Sequence, residues 1–94
     1  MSGCATQNHY KSLNQINEKE YSITKEALEE ENKELDSLEN KYNEAIDNGK
    51  TLESPEFIEL LQKYESQKSK VTKYEGILKL NKKRESLIEK KLSE

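Results

Sequence analysis

The stretch Asp47-Asn48-Gly49-Lys50-Thr51-Leu52-Glu53-Ser54-Pro55-Glu56-Phe57 decides the fold of this 94-residue chain. It holds the only proline and one of three glycines. Gly49 tolerates the left-handed conformation that closes a helix C-terminus, and Asn48 tolerates it next best. Ser54 has the side-chain oxygen that caps a new helix, Pro55 suits its first position, and Glu56 complements the positive end of the helix dipole. One helix is therefore expected to stop near residue 48 and another to start at residue 55.

Outward from this turn, both flanks carry helical periodicity. Upstream, Tyr21, Leu28, Leu35 and Tyr42 recur every seven residues, with Leu38 and Ala45 three positions after the last two, and Leu13 and Ile16 extend the stripe. Downstream, Phe57, Tyr64, Val71, Leu78 and Leu92 fall at multiples of seven, with Leu60, Tyr74 and Ile88 at the complementary position. Sevens divided into threes and fours place these side chains on one face of a helix. The spacing predicts an all-α protein, an antiparallel two-helix coiled-coil hairpin with helices over 10–48 and 55–92, a turn over 49–54, and a flexible N-terminal arm over 1–9. The expected interaction seam is Leu28, Leu35, Leu38, Tyr42, Phe57, Leu60, Tyr64, Val71, Tyr74, Leu78 and Ile88.

Charge supports the antiparallel pairing. Residues 17–48 hold eleven acids and four bases, net −7, whereas residues 63–91 hold ten bases and four acids, net +6. With the turn centred near Thr51, residue i lies opposite residue 102 − i, so Glu18 and Glu20 fall beside Lys82, Lys83 and Arg84. Glu31, Gln67, Asn81 and Glu85 occupy seam positions where leucine packs better; such residues fix register or oligomer state at a cost in stability. A two-helix hairpin buries one narrow stripe. Dimerisation into a four-helix bundle is therefore expected, with Ile23, Ile46, Leu61, Ile77 and Leu87 beside the seam as the second contact.

Composition excludes several classes. Charged residues make up 37% of the chain yet sum to only −3, and the mean hydropathy is −1.15. That profile fits long exposed helices. No stretch approaches the roughly 18 apolar residues of a membrane span. One cysteine excludes an internal disulfide. Catalysis is not expected: Cys4 and His9 share the arm, where nothing orients a base on a thiol. Glu26, Glu30 and Glu34 form a carboxylate row, but no helix carries the histidines of a diiron bundle, so no metal or cofactor is expected. Lys79, Lys82, Lys83, Arg84, Lys90 and Lys91 lack the interleaved aromatics that read bases. They are expected to pair with the acidic helix, with no nucleic-acid partner.

Two resemblances bear on role. Ser2-Gly3-Cys4-Ala5-Thr6 resembles the processing site of bacterial lipoproteins, with Met1 where leucine is usual. The resemblance implies that Cys4 is the lipid anchor, that a charged and then apolar leader precedes it in the native reading frame, and that the hairpin is a periplasmic or surface spacer. Ala5 after the cysteine implies the outer membrane. Without that lipid the chain is expected to be cytoplasmic. Ser54-Pro55-Glu56-Phe57 opening the second helix resembles small subunits and chaperones of type III secretion systems, which implies a soluble chaperone or apparatus component. Both resemblances imply a protein partner; a membrane is expected only through the lipid that the first resemblance places on Cys4.

Overall fold

The computed structural model describes residues 2–94, with side chains from Gln7 onward. Two helices, α1 (Ser2–Asp47, 46 residues) and α2 (Pro55–Leu92, 38 residues), pack against each other as an antiparallel hairpin 71 × 17 × 16 Å across. At about 1.5 Å per residue, 46 residues span roughly 69 Å, so the long dimension is α1 itself.

The turn is built from local hydrogen bonds. Gly49 has φ of 83°, and its N–H donates to the Ile46 carbonyl at 3.0 Å, while the Lys50 N–H donates to the Ala45 carbonyl at 2.9 Å. These two bonds are the Schellman closure, which satisfies carbonyls that the ending helix leaves free. Ser54 is extended (φ −84°, ψ 120°), and its Oγ accepts from the Phe57 N–H at 3.4 Å. The Ser54 N–H donates to the Thr51 carbonyl at 3.0 Å. At the far end, Lys90 and Lys91 lie in the last turn of α2, where positive charge meets the negative end of the dipole.

Gly49 and Gly76 make opposite predictions. A Cβ at Gly76 meets nothing within 4 Å, so Gly76→Ala removes unfolded-state freedom at no packing cost and is expected to stabilise by about 1 kcal/mol. At Gly49 the left-handed backbone opposes any side chain, and Gly49→Ala is expected to cost at least ~1 kcal/mol. Thermal melts check this: the two variants shift in opposite directions, by roughly 4–8 °C each.

Two expectations are corrected. Residues 2–9, expected within a flexible arm, continue α1. No proline interrupts them, and propagation of an existing helix costs far less than nucleation. The His9 ring lies in this extension, 5.9 Å from the Tyr10 ring centroid and tilted 53° to it. The seam also departs from the expected stripe at the start of α1. Leu13 and Ile16 are 38% and 60% exposed, while Asn17 and Thr24 are buried at 5% and 9%. The contacting face runs through Tyr10, Asn14, Asn17, Tyr21, Thr24, Leu28, Glu31, Leu35, Leu38, Tyr42 and Ala45, alternating steps of four and three. Continuing that alternation towards the N-terminus forces the seam through Asn17 and Asn14. The apolar pair beside them lies one position out of phase.

Candidate interaction surfaces

Of the expected seam residues, Leu38, Phe57 and Val71 are buried. Leu28, Leu35, Tyr42, Leu60, Tyr64, Tyr74, Leu78 and Ile88 are half-buried. The side chain of Cys4, the expected lipid anchor, lies outside the described ones. Near the turn the seam is aromatic. The Tyr42 ring stacks on Phe57 and on Tyr64, each with centroids 5.4 Å apart and planes within 16° and 8°. Aromatic pairs in this geometry add about 0.5–1.5 kcal/mol beyond the area they bury.

Two polar crossings interrupt the apolar seam, and both are hydrogen-bonded. In the first, Gln67 Nε2 donates to the Glu31 carbonyl at 2.9 Å and to the Glu31 carboxylate, which Lys70 approaches at 3.5 Å. In the second, Asn17 Nδ2 donates to the Asn81 carbonyl at 2.8 Å. Asn81 Nδ2 donates to Asn17 Oδ1 at 2.9 Å and to Glu20 Oε1 at 3.0 Å. Asn81 is 1% exposed, and its Oδ1 has no partner. The crossings are reciprocal: at one, α2 donates to the α1 backbone; at the other, α1 donates to the α2 backbone. They lie fourteen residues apart on each helix. A slip of one heptad would set Asn17 against Tyr74 or Ile88, leaving buried amides unpaired at about 1–3 kcal/mol each. The pairs 31 with 67, 17 with 81 and 20 with 84 hold the register within one helical turn of the 102 − i rule. Glu85, the remaining polar seam residue expected from the sequence, is half-buried.

The charge asymmetry is used at the surface. Arg84 pairs with Glu20 at 3.3 Å, with both side chains nearly half exposed. Lys82 Nζ sits 5.0 Å from the Tyr21 ring centroid. Exposed pairs of this kind contribute roughly 0.2–1 kcal/mol, so they orient the helices more than they hold them.

What the seam leaves uncovered is the candidate site. On one flank of α1, Leu13, Ile16 and Ile23 are exposed; on α2, Leu80 and Leu87 are exposed and Ile77 is half-buried. The two rows share a side of the hairpin, because Leu13, Ile16, Glu20, Arg84, Leu87 and Ile88 line one groove and Ile16, Glu20 and Ile23 line the next. A second apolar group lies at the turn end, where Ile46, Leu52, Phe57 and Leu61 line a groove with Tyr42. Sequence reasoning named Ile23, Ile46, Leu61, Ile77 and Leu87 as flanking residues. It missed Leu13 and Ile16 because they were assigned to the seam, and it did not place Leu80 in the row with Ile77 and Leu87.

The described residues contain no group of three or more His, Cys, Asp or Glu placed to hold a metal ion, and no helix long and apolar enough to cross a membrane. Glu26, Glu30 and Glu34 are exposed along α1. No protein-family model, curated protein or solved structure matches this chain.

Proposed function

We propose that this chain is a non-enzymatic interaction module that presents helix faces to protein, beginning with a second copy of itself in a dimeric four-helix bundle. One observation carries the reading: Ile16, Ile23 and Leu87 are 60%, 58% and 66% exposed on a single flank. Scattered exposed leucines are ordinary, but a contiguous apolar patch on a small, highly charged rod is the usual mark of an interface. The seam adds a second reason. Only three apolar side chains among the described residues are buried outright, which is little for a domain of this size to stand on alone. Multi-angle light scattering tests the reading. A species of twice the 11.0 kDa chain mass at low micromolar concentration is expected. A monomer with a cooperative melt overturns self-association.

The lipoprotein resemblance gives a second reading, in which a lipid on Cys4 tethers the module. Its geometric support is that α1 is eight residues longer than α2 (46 against 38) and Cys4 lies on that extension. A lysine-rich and then apolar segment encoded upstream of Met1 supports the anchor; a ribosome-binding site directly upstream refutes it. A secretion chaperone or apparatus subunit is the same module with a different protein on its free face.

A further inference from the structure

We propose that the flank carrying Leu13, Ile16, Ile23, Ile77, Leu80 and Leu87 is covered by the same flank of a second copy lying alongside in the same direction, so that α1 of each copy packs on α2 of the other. The proposal rests on the self-association reading and adds its face and symmetry.

Two hairpins joined through one flank by a two-fold axis have two arrangements. With the axis along the rod, every residue keeps its height and α1 meets the partner's α2. With the axis across the rod, α1 meets α1 and α2 meets α2, running in opposite directions. Apolar residues alone do not choose, because the patch overlaps itself either way.

Charge chooses. Across the rod, with the patch centred on the Glu20–Arg84 pair, Glu20 meets its own copy and Arg84 meets its own copy. The acidic helix also lies against itself. Along the rod, the height relation fixed by the 17–81 and 31–67 crossings sets Leu13 by Leu87 and Ile23 by Ile77 and Leu80. The flank beyond the patch continues the match towards the turn. On α1 it reads Glu30, Glu34 and then Lys41; at the same heights α2 reads Lys70, Lys63 and then Glu59. Acid meets base, and where the sign reverses on one helix it reverses on the other. These residues are exposed, and within the chain Glu30 and Glu59 have only neighbouring lysines of their own helix at 3.5 and 3.4 Å. Complementary rows of this kind set orientation and reject the reversed arrangement more than they add affinity.

Cross-linking between separately made variants tests the arrangement. In a Cys4→Ser background, Ile23→Cys and Ile77→Cys are prepared apart, then mixed, unfolded, refolded and oxidised. A disulfide needs Cα atoms within about 7 Å, so the proposal expects a covalent species containing one of each variant, formed only in the mixture. A dimer by light scattering that gives no mixed cross-link overturns the arrangement and leaves self-association standing. A monomer by light scattering overturns both. Ile23→Asp supplies a second readout. The position is exposed, so the hairpin tolerates the charge, and the scattering mass is expected to fall by half, whereas Leu52→Asp at the turn end leaves it unchanged. The reverse pattern would move the interface to the turn end and overturn the proposal.

Discussion

Val71→Asp is expected to abolish the folded hairpin. Val71 is 4% exposed, at the middle of α2 and on the seam between Gln67 and Tyr74. The nearest lysines of α2 are exposed and already engaged, Lys68 over the Tyr64 ring and Lys70 with Glu31, so a carboxylate there enters the contact between helices with no free counterion. Leaving a charge buried and unpaired costs about 3–5 kcal/mol. A domain with one narrow core has stability of only that order. Far-UV circular dichroism checks the outcome: most of the helical signal is lost at 25 °C. Glu39→Ala, on the exposed face of α1, is the control and stays within about 0.5 kcal/mol of the parent. A Val71→Asp protein that melts within a few degrees of the parent would show that this face of α2 is not the core.

The second large effect has the opposite sign. Asn17→Leu together with Asn81→Leu is expected to raise stability by about 1–3 kcal/mol, because replacing both partners of an imperfectly satisfied buried polar pair removes the desolvation penalty. The pair satisfies most of its groups, but Asn81 Oδ1 is buried without a partner, and such an atom costs about 1–3 kcal/mol. Removing both partners leaves no orphaned amide. The cost appears in uniqueness. A polar residue in a seam penalises every register but its own, and with leucine at both positions only the Glu31–Gln67 crossing still opposes a slip. The expected result is a higher melting temperature together with mixed oligomeric species by light scattering. A lower melting temperature would mean that the asparagine bonds contribute more than the packing that replaces them.

The hairpin was legible from two kinds of signal that agree. Gly49, Ser54 and Pro55 mark where one helix stops and the next begins through local chemistry, and the heptads on either side need each other to bury their faces. Opposite charge on the two helices made the register readable to within a turn. The first third of α1 was harder. Periodicity found by following apolar residues drifts when the seam turns polar, and Asn14, Asn17 and Thr24 displaced the apparent stripe onto Leu13 and Ile16. Stepping back from Tyr42, Leu35, Leu28 and Tyr21 in fours and threes recovers the true phase and leaves Leu13, Ile16 and Ile23 as the unexplained apolar residues. That remainder is the signal for the free flank. Residues 2–9 carried no such signal, since small polar side chains suit a helix end and a loop alike.

The contacts along the seam differ in how much chain they enclose. Stacking Tyr42 on Phe57 closes a loop of fifteen residues, whereas joining Asn17 to Asn81 closes one of sixty-four. Loop entropy grows by about 0.6 kcal/mol per doubling, so forming the far contact first costs roughly 1 kcal/mol more than forming the near one. Once the turn and its aromatic cluster are in place, each further heptad adds only its own layer. The molecule therefore closes like a zip from the turn, and the asparagine layer shuts late. The apolar flank lies across that same late-closing third, and it is continuous only when the two strips stand side by side. Closing the open end and binding on that flank are thus linked equilibria, each drawing the other forward by mass action.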